Sequence, residues 1–266
     1  MFLSTKISYN KIIILLIIIF ILFPSIYKEQ IITIQQSPNS IINNDSTNGR
    51  NRDYCIFQLH PTLVSNLLKS PATITESIKR ICLNKLPTNY MFLDYSYEII
   101  NSRLYTYHRD LTSSQSFQNL KYPSYTLIIY LYDGKFLNIC PNSLQKFTVG
   151  KPFTIKGNKG TAVLFNSDMV HAANSYYTPY RHCIQYKICH SEDKKKLNHL
   201  MNQHIIKKQS KVSKISYLES YLSRLSHKYL LVNDLKIIGK LSERNNNNLI
   251  SRICKTVFGL DFYNDT

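Results

Sequence analysis

His108-Arg109-Asp110 sets an imidazole and a carboxylate two positions apart, at the end of the aromatic and β-branched run Arg103 to His108. Side chains alternate along a strand, so His108 and Asp110 project to one face and can share a cation. A second histidine, His171, lies 61 positions beyond Asp110, just past the strand-like run Thr161 to Phe165. Two imidazoles and one carboxylate on one face of an octahedral ion leave three positions open. That arrangement suits Fe(II) with a chelating ligand and O2. Arg181 follows His171 by ten residues, room for a turn and a neighbouring strand. Its planar, permanently charged fork suits the far carboxylate of such a ligand. Each histidine alone would more often be structural; the combination carries the reading. His182, His190, His199 and His204 are read as structural.

The elements that must position these residues are short strands. Tyr125 to Tyr132, Phe136 to Cys140, Phe147 to Val149, Phe153 to Ile155, Thr161 to Phe165 and Arg181 to Cys189 are separated by Gly, Pro, Asn and Lys. That rhythm predicts an antiparallel sandwich or barrel. Before it, Pro61 to Leu68 and Thr75 to Leu83 have helical spacing, the second with Ile78, Ile81 and Cys82 on one face. From Ser191 onward the chain reads as helical and basic, with an apolar face of Leu218, Tyr221, Leu222, Leu225, Tyr229 and Leu230. Alternation puts Cys183 and Gln185 on the face of Arg181, where Gln185 could bond a co-substrate or orient a ligand. Thr126, near the start of the strand after the H-x-D loop, could offer a hydroxyl to the ligand's far carboxylate.

With these pieces in place, the sequence resembles the 2-oxoglutarate- and Fe(II)-dependent dioxygenases, and among them the phytanoyl-CoA dioxygenase-like branch. The resemblance rests on His108-Arg109-Asp110, Tyr132 to Ser143, Gly160 to His171, and Arg181, and covers roughly residues 90–190. The family's P-G-S-H-type turn reads Pro141-Asn142-Ser143-Leu144 here, without the glycine and the final histidine. The resemblance implies a double-stranded β-helix, a cupin-like jelly roll, with iron held by His108, Asp110 and His171 at one mouth. It also implies 2-oxoglutarate as co-substrate, oxidised with O2 to succinate and CO2 while a substrate is hydroxylated, with ascorbate as a supporting reductant. The expected fold is therefore mainly β with flanking helices (α+β). The substrate is expected to be a protein side chain or a small lipid-like molecule. A nucleic-acid demethylase is the less favoured oxygenase reading, because that branch typically carries a second arginine in an R-x-x-x-x-x-R arrangement, and Lys187 stands there. A non-enzymatic membrane or envelope protein on a degenerate scaffold is the alternative from another class.

Composition sets the surroundings. The 33 Lys and Arg against 16 Asp and Glu give +17, spread along the chain, a diffuse field that favours anionic partners or simply fills solvated faces. Six cysteines show no CxxC pair, hence no zinc-ligand spacing and no required disulfide. Ile12 to Phe23 is an unbroken apolar run after Lys6 and Lys11. It predicts an uncleaved signal anchor, with a cleaved signal peptide as rival, because no A-x-A-like site follows. The basic flank puts the N-terminus in the cytoplasm and the catalytic part across the membrane. Sequons at Asn44 and Asn264 fit that placement. The expected organisation is an anchor over 1–27, a polar linker over 28–53, a dioxygenase domain over 54–190, and a basic helical extension over 191–266.

Overall fold

The computed structural model describes residues 30–33, 54–102, 107–110, 120–141, 143, 152–174 and 180–208. The chain divides into two units, 1–30 and 31–266, and the elements that position the site belong to the second. They are mainly strands with few helices. Strands are β1 (Gln30–Thr33), β2 (Tyr54–Gln58), β3 (Tyr90–Ile100), β4 (Tyr125–Tyr130), β5 (Gly134–Ile139), β6 (Phe153–Gly157), β7 (Thr161–Asn166), β8 (His171–Ala173), β9 (His182–His190) and β10 (Gln203–Lys208). The α-helices are α1 (Pro61–Lys69) and α2 (Glu76–Leu83), and a 3₁₀ helix covers Ser191–Leu200.

One sheet runs β1-β6-β5-β8 and the other β10-β3-β9-β4-β7-β2. Pairing is antiparallel wherever the register of β2 to β9 is defined, as expected for a jelly-roll-like sandwich. Strand alternation sorts the core. Leu127 and Ile129 of β4 pack with Ile184 and Tyr186 of β9 in the cluster that buries Val64 and Leu67 of α1 and Ile78 and Cys82 of α2. Ile128 and Tyr130 point the other way, into a second cluster with Phe136, Ile139, Phe153, Phe165 and Cys183 that joins the two sheets. Both faces of β4 are therefore buried, which is why it reads as a continuous apolar run. Each fully buried side chain of this kind contributes about 1.5–3 kcal/mol relative to exposure. Pro61 at the start of α1 fits there because a first-turn N–H needs no helical partner, and the His60 ring accepts from Thr62 N.

Three features differ from the sequence reading. β2 and β3 lie in stretches where no strand is singled out by pattern, and β3, with 11 residues, is the longest strand among the described residues. The segment after Ser191 begins helical, but Gln203–Lys208 is extended and pairs in parallel with β3. Asn202, at φ 59°, turns the chain between the two, a left-handed position that Asn tolerates. The candidate membrane span Ile12 to Phe23, the strand Phe147 to Val149, Asn142, Leu144, both sequons and the apolar face from Leu218 lie outside the described residues. Among the described residues, no helix is long and apolar enough to cross a membrane. The five cysteines there (Cys55, Cys82, Cys140, Cys183 and Cys189) are buried.

Candidate metal centre

The two histidines meet through the backbone. His108 and His171 form an isolated antiparallel bridge, each N–H donating to the other's carbonyl at 3.0 Å. Directly opposed residues project to the same side, and the rings stand 4.3 Å apart between centroids. His171 also opens β8, opposite Ile139 of β5, and its ring meets Phe165 edge-on at 4.6 Å.

Asp110, two residues beyond the bridge, completes the triangle. Its Oδ1 lies 3.7 Å from His108 Nε2 and 3.6 Å from His171 Nε2. One ligand atom from each of the three falls within 4.8 Å of the others, with no comparable group of His, Cys, Asp or Glu among the described residues. An ion with bonds of about 2.1 Å holds adjacent ligand atoms roughly 3 Å apart. A contraction of under an ångström along these Asp–His edges would therefore seat it. Asp110 and His171 are 7% and 3% exposed, so the centre is buried.

Protonation favours ligation. His171 Nδ1 lies 2.9 Å from the Met169 carbonyl, a contact that places the proton on Nδ1 and leaves Nε2 with its lone pair. Burial, then the neighbouring His108, pull the His171 pKa down to about 3, so its ring is neutral at ordinary pH. Burial alone would push the Asp110 carboxyl up, but Lys187 and the two imidazoles hold it well below the usual carboxylate range.

The far side of Asp110 is fully engaged. Oδ2 accepts from Thr126 Oγ1 at 2.6 Å, from Lys187 Nζ at 2.6 Å and from Gln185 Nε2 at 3.4 Å. Lys187 Nζ also donates to Thr126 Oγ1 at 2.9 Å. Register explains the convergence. Thr126 of β4 faces Lys187 of β9 directly, and Gln185 sits two positions along the same face of β9. The structure thus brings Thr126 and Gln185 to the metal-site carboxylate.

Arg181 is brought to a different place on the same inward face. It is 4% exposed, and its guanidinium donates to the Ser102 carbonyl and to Tyr132, beside Tyr130 and Cys183. Its Nε has no hydrogen-bond partner, and no carboxylate pairs with it among the described residues. A buried cation is costly unless an anionic group compensates it.

Lys187, Arg109, Ser167 and Asp168 have no role in the sequence reading. Alternation from Gln185 was the available signal for Lys187; only the β4–β9 register shows what it touches. Arg109, between two ligands, points away from them and pairs with Asp168 Oδ1 at 3.2 Å while also donating to the Asp168 carbonyl. Asp168 lies three residues before His171, so Arg109 ties the two ligand-bearing loops together. Ser167 adds a backbone N–H to the Ser124 carbonyl at 2.9 Å and a hydroxyl 3.1 Å from Thr126 Oγ1.

No protein-family model and no curated protein matches the chain. Solved structures similar to it at low identity include the non-haem alpha-ketoglutarate-dependent epimerase SnoN from nogalamycin biosynthesis. That match has 12% identity and a TM-score of 0.37, covering 52% of this chain and 78% of that one. An oxidoreductase of the 2OG-Fe(II) oxygenase family from Burkholderia pseudomallei matches at 14% identity and a TM-score of 0.30, over 51% and 68% of the two chains. EvdO2 from Micromonospora carbonacea var. aurantiaca, complexed with 2-oxoglutarate, matches at 13% identity and 0.35, over 56% and 76%.

Proposed function

We propose that this chain is an Fe(II)- and 2-oxoglutarate-dependent oxygenase that hydroxylates a protein side chain or a small lipid-like molecule. The observation that carries the reading is the buried convergence of His108, Asp110 and His171, with one carboxylate oxygen turned to both imidazoles. The donor set fits the metal: two imidazole nitrogens and one carboxylate hold a divalent ion and leave positions for a chelating oxoacid and O2. When bound, the metal supplies the oxidative chemistry that couples oxoacid decarboxylation to substrate hydroxylation.

The protein's part is placement. Arg181 offers its uncompensated guanidinium to the far carboxylate of 2-oxoglutarate, from a wall it shares with Tyr132. Thr126 and Gln185 act on Asp110, fixing its plane so that Oδ1 stays directed at the metal. Phe165 meets the His171 ring edge-on and helps to orient it. A membrane tether at Ile12 to Phe23, with the catalytic part across the membrane, belongs to the same reading. Glycosidase-sensitive mass at Asn44 or Asn264 would support it, and a protease-accessible C-terminus in sealed vesicles with the cytosolic face outward would reverse it.

The test is succinate release from 2-oxoglutarate by the full chain with Fe(II) and ascorbate. Slow turnover without added substrate is expected, abolished in Asp110→Ala. No turnover, together with no retained iron, overturns the reading.

A further inference from the structure

A lysine bonded to a metal-site carboxylate is unusual chemistry, because the ammonium and the incoming ion compete for the same negative charge. Lys187 is 5% exposed, and its Nζ lies 2.6 Å from Asp110 Oδ2. Three donors, from Thr126, Lys187 and Gln185, crowd that oxygen. A carboxylate oxygen offers about two lone-pair sites, so Oδ2 is saturated. An ion at Oδ1 cannot draw Oδ2 into a two-toothed grip without displacing the lysine.

We propose that Lys187 is the built-in counter-ion of Asp110: it stabilises the buried carboxylate before metal arrives, enforces one-toothed ligation through Oδ1, and lowers the site's affinity for divalent ions. The inference rests on the metal-centre reading above. Its physical basis has two parts. A buried carboxylate left without a cation strongly destabilises the fold, so the metal-free chain needs Lys187. Once the metal binds, the same ammonium is a like charge a few ångströms from a divalent ion, and it opposes binding. Thr126 and Gln185 still hold Oδ2 when the lysine is removed, so the aim of Oδ1 survives its loss. Lys187 is thus a positioning residue, acting through Asp110.

Full-length Lys187→Met and Lys187→Arg are compared with wild type by Co(II) titration, followed by visible absorption, and by melting with and without Co(II). Lys187→Met is expected to melt below wild type without metal and to bind Co(II) more tightly, on the order of tenfold. Co(II) should therefore raise its Tm by more than it raises that of wild type. Lys187→Arg should keep near-wild-type values in both. Equal loss of Tm with and without Co(II), at unchanged or weaker affinity, would reduce Lys187 to a packing residue and overturn the proposal. If Lys187→Met does not fold, the paired change Lys187→Met with Asp110→Asn removes both charges and should restore folding; failure to do so also overturns it. Wild type that binds no Co(II) would sink the metal reading itself, whereas wild-type binding with an unaltered Lys187→Met sinks only this inference.

Discussion

His108 and His171 face each other across a single two-bond backbone bridge, 3.0 Å in each direction, and their rings stand 4.3 Å apart between centroids. The main chain therefore sets the two histidines opposite each other. His108→Ala and His171→Ala should each keep the fold, because the bridge survives loss of the ring. Retention of Co(II) should fall by about 100-fold or more in either variant, read by equilibrium dialysis, with circular dichroism unchanged. Wild-type retention in His171→Ala would show that the ion is held elsewhere.

In the proposed function Arg181 binds the co-substrate and takes no part in holding the metal. Arg181→Met removes a buried charge that no carboxylate pairs among the described residues, so stability should hold or rise. Metal retention should be unaffected, while the Kd for 2-oxoglutarate rises by roughly 100-fold, the loss of a charge-assisted two-bond pair. Calorimetric titration with Co(II) present measures both. An unchanged Kd would remove Arg181 from the co-substrate site.

The Arg109–Asp168 pair fixes one ligand loop against the other. Its two side chains are 9% and 17% exposed, so Arg109→Met leaves a largely buried carboxylate without its cation. A loss of about 3–5 kcal/mol is expected in urea denaturation. Much of it should return in the double variant Arg109→Met with Asp168→Asn. A loss under about 1 kcal/mol would class the pair with surface ion pairs.

Much of this site is legible in the sequence, and the remainder is tertiary. His108-Arg109-Asp110, the strand before His171, and Arg181 are each marked by local alternation and spacing, and the helices at Pro61 and Glu76 begin within a residue of where their patterns start. The role of Lys187 depends on the register that sets it opposite Thr126, which no local pattern encodes. In β3, Asp94, Ser96 and Glu98 alternate with Tyr95, Tyr97 and Ile99, a period-2 signal that the sequence reading passes over. β10 carries His204, Lys207 and Lys208 and is largely exposed; its extended form follows from pairing with β3.

Asp193 anchors the approach to β4, and hence Thr126, from the 3₁₀ helix. It is 1% exposed and accepts from Lys121 N at 3.0 Å, Tyr122 N at 2.9 Å and Lys196 Nζ at 2.8 Å. Burial opposes its charge, but the Lys196 bond and the two backbone N–H groups prevail and hold its carboxyl below the usual value. A depressed carboxyl stabilises the fold above its unfolded pKa of about 3.9, and that contribution is lost as pH falls below it. Asp193→Ala should cost about 1–3 kcal/mol at pH 7. Its stability should also fall less steeply than that of wild type between pH 4 and pH 2. Parallel acid-denaturation curves for the two proteins would contradict this role.

The most direct measurement is anaerobic titration of the full chain with Fe(II) and 2-oxoglutarate, followed by the metal-to-oxoacid charge-transfer absorption that appears only when the keto acid chelates bound iron. One equivalent of iron per chain is expected to develop the band in wild type. Asp110→Ala should show none, and Arg181→Met should need far more 2-oxoglutarate to reach it. Absence of the band from wild type at saturating Fe(II) and 2-oxoglutarate would contradict the assignment of His108, Asp110, His171 and Arg181 to one oxygenase centre.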